Sequence, residues 1–355
     1  MKTVILFLVS CFLLACNSKP VNTATEQSLV TQMPSVSIEV KDSFETGKVI
    51  PSVALRNNAS ETFALFLPKG YSDSGKLPVI IFFDPHGDGT VLLNLYHELA
   101  DEFHFVLVGS NNSKNGMDLQ QTKLIADNLV NEVKARFSIN DKSISFCGFS
   151  RGAKVALLSA AENSSVSSVI YCGAAAPINP NHSLSLLGFA GTKDMNYTDI
   201  VSFDWSLKSS ALKHFLIEWN GKHEFPKAEV FKDAFQFLTT GNIENYLKKQ
   251  VTITEQKVNE EQAFKQQLLE AFQTQDINWW KQEIVSLNNK KKTDPMYERL
   301  LGFISLACYS YSNQTLQQND LQAAEKILAI YQLADPGNKD CEAFTTQLKS
   351  RQLQH

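Results

Sequence analysis

Up to about residue 244 the apolar residues of this chain come in short dense runs; beyond it they recur at helical spacing. Leu77–Phe83 and Leu184–Ala190 are nearly unbroken apolar stretches, the pattern of strands buried on both faces. Ser143–Cys147 partly alternates, and His214–Trp219 reads as a further strand. Ala153–Ala161 (Ala-Lys-Val-Ala-Leu-Leu-Ser-Ala-Ala) is rich in strong helix formers and predicts a helix soon after the third of these runs. Strands interleaved with helices predict an open α/β sheet with helices on its faces. From residue 245 glycine is sparse, Gln, Lys, Glu and Leu dominate, and an all-helical region is expected over 245–355.

The densest chemical signal sits between a predicted strand and a predicted helix. Gly148-Phe149-Ser150-Arg151-Gly152 matches G-x-S-x-G, a sharp strand-to-helix turn that presents a nucleophilic Ser at a helix N-terminus. The alternative for Ser150 is a plain helix N-cap between two structural glycines. A triad also needs an orienting acid and a base, which here would follow in the order Ser, Asp or Glu, His. Gly191-Thr192-Lys193-Asp194 leaves one predicted strand, and Asn220-Gly221-Lys222-His223 leaves the next. Loops beyond the carboxyl ends of strands are where an open α/β sheet forms its crevice. Asp199 and Asp204 are alternative acids on the same downstream stretch, reachable if that loop folds back.

With these residues in place the chain resembles the α/β-hydrolase superfamily, and within it the lidless secreted esterases related to feruloyl esterases, polyhydroxybutyrate depolymerases and dienelactone hydrolases. The resemblance covers about residues 60–240 and rests on Phe63–Tyr71, Leu77–Phe83, His86-Gly87, the elbow, Gly-x-x-Asp and Gly-x-His. It implies a mostly parallel sheet over residues 37–244, with Ser150 as nucleophile, His223 as general base and acid, and Asp194 as the orienting group. An oxyanion hole needs two backbone N–H donors. One is expected from Arg151, after the nucleophile. The other is expected from Asp84-Pro85-His86-Gly87-Asp88-Gly89, at Gly87 or Asp88, with His86 a further candidate and Pro85 excluded for want of an N–H. Many relatives pass straight from an apolar strand into His-Gly; the inserted Asp84-Pro85 departs from that pattern. The Arg151 side chain either borders the pocket, favouring an anionic substrate, or is solvated. Only about a dozen residues separate Cys172 from Leu184, too few for a cap domain, so an open groove suited to a bulky or polymeric ester is expected.

The two ends of the chain add a compartment and a partner surface. Lys2, the apolar run Val4–Val9 and Leu13-Leu14-Ala15-Cys16 predict a secretory signal over residues 1–15, and the last four residues resemble a bacterial lipobox. Lipidation of Cys16 would anchor the protein to a membrane of the cell envelope, with the polar stretch 16–36 as a flexible tether; simple cleavage without lipidation is the alternative. In the C-terminal region, Asp276–Trp280 leads to Asp294-Pro295, and Asp320–Ala324 leads to Asp335-Pro336, at an offset of about forty residues. This weakly resembles a tetratricopeptide pair. Such units need neighbours, either the hydrolase part or a capping helix over 338–353, and they offer a surface for a protein partner. Trp279 and Trp280 read as packing residues.

Composition narrows the remaining choices. A chain of 355 residues that is 43% hydrophobic can build one large core and a smaller second one. A net charge of -4 points to no nucleic-acid partner. Neither the histidine nor the cysteine spacing forms a metal motif, so no metal and no cofactor are expected. Cys147 and Cys172 end what should be neighbouring strands and are read as buried thiols, with a disulfide as the alternative. The function expected is ester hydrolysis by Ser150, His223 and Asp194. A serine peptidase using the same triad, or a catalytically idle lipoprotein adaptor, are the rival readings.

Overall fold

The computed structural model describes residues 43–353; the signal, Cys16 and the 16–36 tether lie outside the described residues. Eight strands form one sheet: β1 (Val49–Ala54), β2 (Thr62–Phe66), β3 (Leu77–Phe83), β4 (Val106–Ser110), β5 (Ile139–Phe149), β6 (Ser168–Cys172), β7 (Ser185–Gly191) and β8 (Lys213–Trp219). Their order is β1-β2-β4-β3-β5-β6-β7-β8. The β1–β2 and β2–β4 pairs are antiparallel, and every pair from β4 to β8 is parallel. The strands expected from apolar runs appear where the pattern put them, with Ser143–Cys147 extended to the full length of β5.

Alternation along the central strands divides the core in two. Val79, Ile81 and Phe83 of β3 face one layer with α2 (Leu119–Arg136), α3 (Arg151–Glu162) and α4 (Tyr197–Leu207). Ile80 and Phe82 face the other, with α1 (Thr90–Phe103) and α5 (Ala228–Thr240). Both faces of β3 are sealed, which is why its sequence is an apolar run and not an alternation. Stacked rings dominate the second layer: Tyr96 and Phe231 lie 3.9 Å apart at 11°.

The C-terminal helices α6 (Glu255–Thr274), α7 (Ile277–Lys290), α8 (Pro295–Gln318), α9 (Leu321–Ala334) and α10 (Lys339–Gln352) share a third core. Aspartate side chains cap α7, α8 and α9 from Asp276, Asp294 and Asp320. The two Asp-Pro pairs play different parts: Pro295 occupies the first turn of α8, whereas Pro336 sits in the turn before α10, which Asn338 caps. Trp280 is fully buried against Phe272, as a packing residue should be. The segment before α6 lies along β8: Glu218 N–H donates to the Lys249 carbonyl (2.7 Å), Leu216 N–H to the Tyr246 hydroxyl (3.1 Å), and Ile217 bridges Gln250. From Phe44 onward the chain divides no further into separate compact units.

Cys147 and Cys172 are buried free thiols on adjacent strands. Burial, and then the hydrogen bond to Cys172, push the Cys147 thiol well above its ordinary range. A raised thiol holds its proton at neutral pH, so the nucleophilic thiolate is suppressed. Native protein treated with iodoacetamide at pH 7.5 is therefore expected to alkylate Cys147 at least ~100-fold more slowly than urea-unfolded protein, as read by peptide mass spectrometry.

Candidate active site

The site begins with a steric problem at the end of β5. Its chain must reverse into α3 within one residue, and Ser150 makes the turn with φ 53° and ψ -122°, a conformation costly for any side-chain-bearing residue. The turn closes only because its neighbours lack side chains. A Cβ on Gly148 would stand 2.1 Å from the Gly152 carbonyl oxygen, and one on Gly152 would stand 1.9 Å from that of Phe83. Ser150 N–H donates to the Cys172 carbonyl at 2.8 Å, and the Ser150 carbonyl accepts from Ala153 N–H at 3.0 Å, fixing both sides of the bend. Thus the two motif glycines bring strand, helix and β3 into backbone contact.

Two loops at the same edge of the sheet complete the arrangement. His223 Nε2 lies 3.0 Å from Ser150 Oγ, and its Nδ1 lies 2.9 Å from Asp194 Oδ1. An ionised carboxylate only accepts, so the ring proton belongs on Nδ1 and Nε2 is left to accept from the hydroxyl. Asp194 is 1% exposed, and Asn196 N–H also donates to its Oδ1 at 2.8 Å. The His223 ring packs against Phe149, centroid to centroid 4.6 Å, which steadies its plane. The structure therefore brings together Ser150, Asp194 and His223, three residues distant in the sequence.

The chain has the α/β-hydrolase fold. Among solved structures it is similar to the hyperthermophilic esterase from the archaeon Pyrobaculum calidifontis, with 11% identity, 56% of this chain, 87% of that one and a TM-score of 0.45. It is similar too to a feruloyl esterase module from Clostridium thermocellum complexed with sinapinate (10%, 59% and 92%, TM-score 0.44). Esterase B from Lactobacillus rhamnosis matches at 12% identity, 55% and 88% coverage and a TM-score of 0.47. No protein-family model matches the chain, and no curated protein matches it in sequence.

The other acids are placed elsewhere. Asp199 and Asp204 lie on α4 and not on a loop that folds back; Asp199 is exposed, and Asp204 pairs with His214 at 2.9 Å. His214 stands near the start of β8, away from the carboxyl ends where the elbow sits. This second His–Asp pair therefore has the contact of an acid–base couple but not its location.

Arg151 opens α3, where its N–H has no intrahelical carbonyl to reach. Its side chain is not the solvated arm considered above: the guanidinium Nη2 donates to the Met117 carbonyl. In the 84–89 loop the buried Asp84 carboxylate accepts from His86 N–H (2.7 Å) and Asp88 N–H (3.4 Å). Gly87 N–H donates to the Asp84 carbonyl at 3.2 Å. The inserted Asp84 thus organises the loop, and Asp88 caps the start of α1 through Thr90 (2.9 Å). Asn196, absent from the sequence reading, ties the acid loop to the Gly173 carbonyl at 2.7 Å. The two-residue spacing from Asp194 carried an Asx-turn signal for it.

Because the Gly152 Cβ position coincides with backbone, Gly152→Ala should destabilise the fold by about 1–3 kcal/mol. Urea unfolding followed by circular dichroism measures the change.

Proposed function

We propose that this protein is a membrane-tethered serine hydrolase that cleaves carboxylic esters through an acyl-enzyme. The observation that carries the reading is the unbroken line of contacts from Asp194 through His223 to Ser150 at a strained strand-to-helix turn. Ser150 Oγ attacks the acyl carbon while His223 Nε2 takes its proton. Asp194 holds the imidazole in the required tautomer and stabilises the imidazolium. The developing oxyanion is held by the Arg151 N–H and by a donor from the 86–88 loop. Asp88 suits that second place, since its 3.4 Å contact with Asp84 is long and the cheapest in the loop to exchange for substrate. His223 then returns the proton to the leaving alcohol. Water, deprotonated by His223, attacks the acyl-enzyme and frees Ser150.

The connection from Cys172 to Ser185 contains neither helix nor strand, which supports an open site and a bulky ester. Carbohydrate-linked acyl or feruloyl esters are the proposed substrates, by the resemblance. The lipobox-like Leu13-Leu14-Ala15-Cys16 supports an anchor in the bacterial envelope, facing the periplasm or the surface. The helical repeats remain a candidate surface for a protein partner.

A fluorophosphonate probe should label Ser150 in the folded protein and leave Ser150→Ala unlabelled. His223→Ala and Asp194→Asn should each lower kcat/KM on p-nitrophenyl acetate by ~10³-fold or more while far-UV circular dichroism stays unchanged. No labelling of folded wild-type protein would favour the idle adaptor, and turnover of aminoacyl nitroanilides in preference to esters would favour the peptidase. For the anchor, cells fed radiolabelled palmitate should incorporate it into the wild-type protein and not into Cys16→Ala.

A further inference from the structure

The loop that carries Asp194 is gripped from the side facing away from the sheet. Two of its N–H groups reach the end of β8 and the segment after it: Thr192 donates to the Trp219 carbonyl and Lys193 to the Gly221 carbonyl, both at 2.9 Å. Its Thr192 and Met195 carbonyls go instead to α8 and α6. Lys265 Nζ donates to the Met195 carbonyl at 2.6 Å and to Thr198 Oγ1 at 2.9 Å. Arg299 Nη1 donates to the Thr192 carbonyl at 2.6 Å. The rest of that guanidinium is committed to Glu261, with Nε 3.0 Å from both carboxylate oxygens, and Lys265 lies 3.5 Å from the same carboxylate. Arg299 also sits 4.7 Å over the Tyr197 ring.

Glu261, Lys265 and Arg299 are 0%, 7% and 5% exposed. Three sealed charges are an expensive way to make helices adhere, because apolar residues of similar volume serve as well or better. Apolar residues cannot bond the carbonyls of 192 and 195, which bracket Asp194. Packing alone does not immobilise this side of the loop either, since a cavity of about 410 Å³ lies beside it, lined by Thr192, Tyr197 and Arg299. The neighbouring residue on α8, Glu298, pairs at 3.1 Å with Lys222, which precedes His223. One turn of α8 therefore touches both the acid loop and the base loop.

Resting on the reading of Asp194 and His223 as acid and base, we propose that Lys265, Arg299 and Glu261 are positioning residues for that couple. They set the backbone of 192–198 so that the Asp194 carboxylate stays within bonding reach of His223. The C-terminal helices are then part of the catalytic apparatus.

Lys265→Met is the sharpest test. It removes both Lys265 bonds to this segment and leaves Glu261 and Arg299 as a balanced pair, so no charge is left buried without a partner. The expected result is a kcat on p-nitrophenyl acetate lowered ~10-fold or more, with KM within about twofold. Amide hydrogen exchange should quicken in 192–198 and stay at wild-type rates in β3 and β5. Arg299→Lys keeps a cation for Glu261 but gives up the fork that also reaches Thr192, and should lose kcat in the same direction. Wild-type kcat and wild-type exchange in Lys265→Met overturn the proposal. So does a kcat loss with faster exchange throughout β3 and β5, which would make the cluster a stability element only. A wild-type protein that neither labels with fluorophosphonate nor turns over ester sinks the hydrolase reading itself, and the catalytic role of the cluster with it.

Discussion

Ser150 cannot relax. Its backbone angles are ones that a side-chain-bearing residue adopts at a cost of about 1–3 kcal/mol. The offset comes from the layers on either side: β5 is paired on both edges, and α3 buries Ala153, Val155, Ala156, Leu157 and Ala160 against the sheet. With strand and helix both immovable, the only connection short enough is the strained one, and the hydroxyl is presented as a result. The same crowding demands glycine at 148 and 152 and places the helix N-terminus beside the place where an oxyanion would form.

The partners of Ser150 are fixed differently. The loops of Asp194 and His223 follow adjacent parallel strands, β7 and β8, so the register of one pair determines their separation. Backbone bonds from Thr192 and Lys193 to Trp219 and Gly221 then fasten loop to loop. The elbow is thus held by the sheet core, whereas the Asp194–His223 pair is held by mutual contacts and by helices added after the sheet is complete.

How much of this could be read from the sequence followed from how local each feature is. The elbow, the strand–Gly-x-x-Asp and the strand–Gly-x-His segments are contiguous, and each carries its own turn chemistry, so the candidate site was legible. The central strands were legible because burial on both faces makes them uniformly apolar. β1 was not: half of it is exposed, it pairs antiparallel at the rim, and Pro51 interrupts its pattern. α4 was hidden because its polar Asp199 and Asp204 suggested a loop. The Glu261–Lys265–Arg299 cluster was invisible in principle. Glu261 and Lys265 stand in a helix rich in Gln, Lys and Glu, where they look like solvated charges, and Arg299 comes from a different helix; periodicity tells which residues share a face but not what that face meets. His214 and Asp204 make the converse point, a well-formed pair at the wrong end of a strand.

The stretch that crosses β8 between the last sheet helix and α6 has a further consequence. A terminal strand leaves a row of unpaired backbone groups that invites a foreign strand to dock. Here the chain's own continuation covers part of that row, through Tyr246, Lys249 and Gln250. A protein shortened to its sheet would bare this rim and become prone to self-association before any loss of chemistry could be judged. The connecting segment guards against aggregation, and it does so as a side effect of carrying the chain to its helices.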